Sequence, residues 1–179
     1  AADAEVISFV AQALKSCGLK EFQITIGESE FFKGICASAG IDEESELELR
    51  ESISNKNIFK VENILSELSI DEAAKKQILG VSDLFGEIEV LDKAKSLVKN
   101  DRSLKAIDRL SKLYELLKLY EVDEYISFDL SMLSKYHYYT GITFSAITYG
   151  VGEVIVKGGR YDNLLSHFGK EFPAIGAVI

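Results

Sequence analysis

The chain opens with an alternation of apolar and polar residues that changes its period twice. Apolar residues at helical spacing predict an amphipathic helix over residues 3–17: Val6, Ile7, Val10, Leu14 and Cys17. Over residues 22–26 every second residue is apolar, which predicts a strand with one buried face, ended by Gly27. Helical spacing returns over residues 30–39, and Gly40 stands where a helix C-cap is expected.

Residues 41–120 are predicted to form an all-helical segment. The clearest pattern is one continuous apolar stripe: Leu104, Ile107, Leu110, Tyr114, Leu117 and Tyr120. Asn57, Asp71 and Ser82 are predicted as helix N-caps. The acidic run that begins at Asp42 is interpreted as the capped and solvated first turn of a helix, not as a metal site, because carboxylates there interact favourably with the helix dipole.

From residue 122 the pattern predicts strands at 125–130, 142–149 and 153–157, separated by glycine turns. A helix is then expected to open at Gly158-Gly159 and to end before Gly169, and residues 173–179 begin another apolar strand. Neighbouring strands joined by short turns favour an antiparallel or mixed sheet. The predicted fold class is therefore α+β.

Composition and charge restrict the function. The 179 residues have a formal net charge of −9, which makes nucleic acid an unlikely partner because phosphates are bound mainly by lysine and arginine. No apolar run is long enough to span a membrane, and a cytoplasmic location is expected. Cys17 and Cys36 are predicted to pack as small apolar side chains, and no metal or cofactor site is expected.

Three clusters near the C-terminal end are candidates for chemistry. Residues 136–141 place aromatic hydroxyls before a strand, where they line a pocket or simply pack on the sheet. Residues 158–162 hold a glycine pair that either admits an anion at a helix N-terminus or forms an ordinary turn. Residues 149–153 predict a hairpin turn. Neither His137 nor His167 has neighbours that would make it a catalytic base, and no catalytic residue is predicted.

The order of these clusters resembles the core of histidyl-tRNA synthetases. The matching motifs are Asp3-Ala4-Glu5-Val6-Ile7, Phe31-Phe32-Lys33-Gly34, Tyr138-Tyr139-Thr140-Gly141, Gly158-Gly159-Arg160-Tyr161-Asp162 and Pro173-Ala174-Ile175-Gly176. The resemblance implies a partial class II synthetase-like antiparallel sheet flanked by helices, usually dimeric. It divides the chain into a first core part (1–40), a helical insertion (41–120) and a second core part (121–179), with the chain expected to be truncated at both ends.

The resemblance also implies which residues form the site. Histidine would be bound by Tyr138, Tyr139 and Tyr161. The loops of the pocket would be supplied by Thr140, Gly141, Gly158, Gly159 and Arg160.

Two departures from the synthetases favour a related family. Residues 134–137 (Ser-Lys-Tyr-His) stand where synthetases carry Arg-Gly-Leu-Asp, and Lys135 cannot reproduce the bidentate geometry of that arginine. Ser145 replaces an acidic residue. The chain thus resembles regulatory subunits of ATP phosphoribosyltransferase in histidine biosynthesis, which are non-catalytic, assemble with the short catalytic subunit in a hetero-oligomer and contribute to allosteric control by L-histidine. A divergent histidyl-tRNA synthetase remains the alternative.

Overall fold

The computed structural model describes residues 1–134 and 138–179. Seven α-helices occur in this part of the chain: α1 (Ala2–Ser16), α2 (Ser29–Ser38), α3 (Glu43–Ser54), α4 (Ile58–Glu67), α5 (Glu72–Gly80), α6 (Val90–Leu97) and α7 (Asp101–Leu119). Six strands accompany them: β1 (Phe22–Glu28), β2 (Phe85–Gly86), β3 (Ile126–Asp129), β4 (Ile142–Thr148), β5 (Val156–Arg160) and β6 (Ile175–Val178). The predicted mixture of helix and sheet is confirmed.

The six strands form one mixed sheet in the order β2-β3-β1-β4-β5-β6. Strand β1 lies in the middle, parallel to β3 and antiparallel to β4. The remaining pairs are antiparallel. The parallel pair requires a long crossover, and the helical segment between β1 and β3 provides it.

Capping residues explain where several helices begin. The side chains of Asp42, Asn57 and Asp71 each accept a hydrogen bond from a backbone N–H in the first turn of α3, α4 and α5. Asn57 and Asp71 were predicted as caps, and the acidic run that begins at Asp42 was interpreted as the capped first turn of a helix. Ser82 is not a cap, because it lies within a short 3-10 turn at Val81–Asp83 that leads into β2. The segment predicted as all-helical thus also contains a two-residue strand.

The core is shared between the sheet and the helical segment. One cluster of buried side chains joins Ile24 and Ile26 of the sheet to Leu49, Val61 and Leu110 of the helices. The predicted stripe of α7 supplies Ile107, Leu110 and Leu117 to this cluster. Cys36 is buried as predicted, whereas Cys17 is exposed after the end of α1, so the prediction for Cys17 was wrong.

The C-terminal region differs from its predicted boundaries. Gly158 and Gly159 lie inside β5 and do not open a helix, and only a 3-10 turn (Leu164–Phe168) follows. The hairpin between β4 and β5 was predicted correctly, and Gly150 adopts a φ of 80° there. Gly169 ends the 3-10 turn in the left-handed conformation.

Candidate functional site

The two faces of the sheet differ in chemistry, and the strand register shows how. Ile24, Ile126 and Ala146 are partners across three strands and lie on the helix-covered face. Their neighbours Thr25, Ser127 and Ser145 are also partners and lie on the opposite face. Since side chains alternate along a strand, this second face carries small and polar residues. Of the glycine pair in β5, Gly159 lies on this second face, together with the ring of Tyr139.

The ring of Tyr139 packs closely against Gly159 on this polar face. A Cβ atom at Gly159 would stand 2.5 Å from Cε1 and 2.7 Å from Cδ1 of the Tyr139 ring. No side chain fits in that space, so a glycine at this position is required by the close approach of the ring. Gly159 therefore lies within a strand, where neither an ordinary turn nor the start of a helix is formed, and its lack of a side chain admits the Tyr139 ring.

The other two tyrosines join Tyr139 in one cluster. The rings of Tyr138 and Tyr139 are 4.5 Å apart between centroids, and Tyr138 contacts Tyr161 edge to face at 6.3 Å. The hydroxyl of Tyr161 occupies the space in which a Cβ atom of Gly176 would lie. The structure thus brings together the three residues that the resemblance assigned to histidine binding.

Gly158 faces the core side of β5, opposite to Gly159. A Cβ atom there would stand 2.8 Å from Cε1 of Phe144 and 2.6 Å from the carbonyl oxygen of Gly176. Because no helix begins after the glycine pair, the predicted anion site at a helix N-terminus is absent from this part of the described chain. The glycine pair instead accommodates one aromatic ring on each side of β5.

Thr140 and Arg160 hold the tyrosine segment against β5. The backbone N–H of Thr140 donates to the carbonyl of Arg160 at 2.9 Å, and the hydroxyl of Thr140 accepts from the N–H of Asp162 at 3.0 Å. Arg160 donates from Nε to Asp3 at 2.9 Å and from Nη1 to Asp162 at 2.9 Å. The guanidinium of Arg160 therefore connects α1 to β5, and the carboxylates of Asp3 and Asp162 balance its charge.

Gly141 connects the tyrosine segment to β1 and α2. Its carbonyl accepts from both the N–H and the hydroxyl of Ser29, each at 3.1 Å. Behind it lies Glu28, a residue that the sequence analysis did not single out. Its side chain is fully buried, pairs with Arg109 at 2.8 Å and accepts from the N–H of Phe31 at 3.0 Å. Burial raises the pKa of the Glu28 carboxyl to about 7, although Arg109 opposes the shift.

A cleft of about 410 Å³ opens beside Tyr139 on the polar face. Its described lining combines aromatic, aliphatic and uncharged polar residues with one lysine: Ser54, Asn55, Met132, Leu133, Ser134, Tyr139, Thr143, Phe144, Ser145, Val154, Lys157 and Gly158. The size and the mixed lining suit a small polar ligand with an aromatic part. Tyr138, Tyr161 and Arg160 lie outside this lining, so of the residues assigned by resemblance only Tyr139 and Gly158 face the cleft.

The helical segment between β1 and β3 contributes one wall of this cleft through the end of α3. Ser54 donates its hydroxyl to the carbonyl of Leu133, and Asn55 lies beside it in the cleft lining. Lys56 then turns back with a φ of 55°, donates to Ser131 and pairs with Asp129 at 3.7 Å. A non-glycine residue in this conformation is uncommon, and the contacts of Lys56 with the end of β3 stabilise it.

Several sequence predictions fall outside these contacts. Lys135, Tyr136 and His137 lie outside the described residues. His167 is exposed at the end of the last 3-10 turn, away from the cleft lining. Among residues 1–134 and 138–179, no group of three or more metal-binding side chains occurs. In the same ranges, no helix is both long and apolar enough to cross a membrane.

Comparison with known proteins gives the family. The model of the family described as histidyl-tRNA synthetase matches residues 1–179. A protein of Ruminiclostridium cellulolyticum named ATP phosphoribosyltransferase regulatory subunit is 44% identical over 174 residues, which are 97% of this chain and 42% of that protein. A protein of Acetivibrio thermocellus with the same name is 41% identical over 98% of this chain and 42% of its own length. The chain thus spans less than half the length of these curated relatives.

Solved structures agree with the sequence comparison. A Bacillus halodurans protein described as an ATP phosphoribosyltransferase regulatory subunit/histidyl-tRNA synthetase aligns with a TM-score of 0.90 at 31% identity, over 98% of this chain and 46% of its own. A histidyl-tRNA synthetase of a Nostoc species aligns with a TM-score of 0.85 at 22% identity, over 98% and 43%, and so shows the fold alone. The predicted class II synthetase-like fold is confirmed, and the chain belongs to the histidyl-tRNA synthetase family.

Proposed function

We propose that the complete gene product is a regulatory subunit of ATP phosphoribosyltransferase in histidine biosynthesis. The observation that carries the proposal is the identity of 44% and 41% to two regulatory subunits over nearly all of this chain. Both relatives are named as regulatory subunits, whereas other members of the same family are named as histidyl-tRNA synthetases. The proposed partner is the short catalytic subunit, with the regulatory subunit itself a homodimer inside the hetero-oligomer.

The proposed regulatory ligand is L-histidine, held on the polar face of the sheet. Tyr139 lines the cleft, Tyr138 packs against Tyr139, and Tyr161 packs against Tyr138. A ring beside uncharged hydrogen-bonding groups suits an imidazole that also carries polar substituents. Histidine would then inhibit by binding the less active assembly more tightly than the active one.

The proposed subunit is not itself a catalyst. A synthetase-type activation step needs fixed cations at the phosphate being transferred. Residues 134–137 lack the expected arginine, and the guanidinium of Arg160 is engaged by Asp3 and Asp162. Binding without activation is the function that fits these residues best.

A reconstitution experiment tests the proposal. The complete gene product is mixed with the short catalytic subunit from the same organism, and phosphoribosyl-ATP formation is measured with and without histidine. We expect activity that depends on the gene product and is suppressed by histidine. If the gene product changes neither rate nor inhibition, the proposal is wrong. Histidine-dependent ATP–pyrophosphate exchange would then identify a divergent synthetase.

A further inference from the structure

Lys157 gives the cleft an unusual charge. The chain has a formal net charge of −9, yet among the described residues that line the cleft, Lys157 is charged and no Asp or Glu occurs. In the described ranges Lys157 also forms no salt bridge with a carboxylate. A lysine in such surroundings attracts an anionic group, because no neighbouring carboxylate neutralises it.

The register places this lysine within the site. Lys157 is the partner of Ser145, and Gly159, on which Tyr139 lies, is the partner of Thr143. Residues 157 and 159 are two apart on one strand and so face the same side of the sheet. The cation and the tyrosine ring are therefore neighbours on one surface.

A second observation at the same place points to a ligand. Thr143 is 6% exposed and lines the cleft, and its Oγ1 has no hydrogen-bond partner within residues 1–134 and 138–179. A buried hydroxyl without a partner is energetically costly, so a ligand group that completes its hydrogen bonding would be bound favourably here. On adjacent strands, the exposed ammonium of Lys157 and the buried hydroxyl of Thr143 thus offer two hydrogen-bonding groups to a ligand in the cleft.

We infer that Lys157 binds the carboxylate of the amino-acid ligand held in this cleft. The inference rests on the proposed function for the identity of the ligand, histidine, and adds the group that orients it. With the carboxylate at Lys157, the remainder of the ligand is directed along the sheet toward Tyr139. A charge-assisted hydrogen bond between ammonium and carboxylate contributes more than one between neutral groups.

The test compares two ligands that differ only at the carboxylate. Calorimetry on the complete gene product measures the binding of histidine and of histidinol, in which a hydroxymethyl group replaces the carboxylate. Lys157→Met should weaken histidine binding about 10-fold to 100-fold while changing histidinol binding less than about 2-fold. Lys157→Arg, which keeps the positive charge, should recover most of the histidine affinity. Lys170→Met is the matched control, because Lys170 is exposed and lies outside the cleft lining.

Each other outcome has a distinct meaning. If Lys157→Met weakens histidine and histidinol equally, or changes neither, the inference is wrong while the proposed ligand stands. If the unsubstituted protein binds neither compound, the proposed ligand itself is wrong and the inference fails with it. The thermal unfolding midpoint of each variant is also measured, and an unchanged midpoint shows that the substitution has left the fold intact.

Discussion

The carboxylate of Glu28 pairs with the guanidinium of Arg109 at 2.8 Å, and this contact joins the end of β1 to α7, the longest helix between β1 and β3. Glu28 is buried whereas the Arg109 side chain is 45% exposed, so the pair lies at the boundary between core and solvent. The same carboxylate caps α2 and lies behind the tyrosine segment. One ionisable group thus links three elements that surround the site.

This burial predicts a pH-dependent stability. The pKa of Glu28 rises from its ordinary value of 4.5 to about 7, so the folded protein keeps a proton that the unfolded chain releases. Stability should therefore fall as the pH rises from about 4.5 to about 7, by up to about 3 kcal/mol, and then level off. Urea unfolding of the complete gene product between pH 5 and pH 8 should show this fall.

The substitution Glu28→Gln, which imitates the protonated acid, should flatten that pH profile. Glu48→Gln makes the same chemical change at an exposed position of α3 and should leave the profile as it is. Parallel profiles for Glu28→Gln and the unsubstituted protein would show that Glu28 does not carry the pH dependence.

The close approach of Tyr139 to Gly159 predicts that Gly159→Ala disturbs the site. The new methyl group would stand 2.5 Å from the ring and must displace it. We expect histidine affinity to fall at least 10-fold and the free energy of unfolding to fall by about 1 to 3 kcal/mol. Gly152→Ala is the control, because no atom lies within 4 Å of its added Cβ. Equal affinities for the two variants in calorimetry would contradict the placement of Tyr139.

The ion pair between Arg160 and Asp3 predicts an energetic coupling across the molecule. Both side chains are largely buried, at 19% and 16% exposure, and they connect β5 to the first helix. In a double-mutant cycle with Arg160→Gln and Asp3→Asn, the interaction energy should be about 1 to 3 kcal/mol. The free energies come from chemical unfolding of the four proteins. Strict additivity of the two substitutions would mean that the pair contributes no net stability.

The left-handed conformation of Lys56 predicts different effects for two substitutions. Lys56→Ala removes the contacts with Asp129 and Ser131 but keeps the unfavourable φ of 55°, whereas Lys56→Gly removes both contacts and strain. The glycine variant should therefore be more stable than the alanine variant by about 1 kcal/mol, measured by thermal unfolding.

Glu121 provides the comparison for Lys56. It has a φ of 54° and, in the described ranges, no side-chain hydrogen bond or ion pair. Glu121→Gly should stabilise the protein by up to about 1 kcal/mol, since it relieves strain without losing a contact. If Lys56→Gly stabilises the protein equally, the contacts of Lys56 with β3 contribute nothing.

Local patterns predicted the helices and their caps well. The stripe of α7 and the caps at Asp42, Asn57 and Asp71 depend on residues three or four positions apart, so the sequence itself contains the interaction. Gly158 and Gly159 were misassigned because glycine is typical both of turns and of places where another group approaches the backbone. The rings that require these glycines belong to Tyr139 and Phe144, which are distant along the chain.

The site was predicted only in part. The resemblance identified the three tyrosines, which do form one cluster. Glu28, Asn55 and Lys157 were missed because burial or placement in a cleft depends on neighbours from other strands and helices. The alternation of residues 22–26, extended by two positions, would have placed Glu28 on the buried face, and that is the one signal that was available.

The position of β1 in the sheet has a consequence for synthesis and folding. Both strands that flank β1 follow helices α2–α7 in the chain, so β1 leaves the ribosome before its hydrogen-bonding partners are synthesised. During that interval Ile24 and Ile26 lack the neighbouring strands that later help to bury them, while the helices between β1 and β3 can form from local contacts. The surface that carries Tyr139 and Lys157 consequently cannot form until the connection between β1 and β3 has been synthesised.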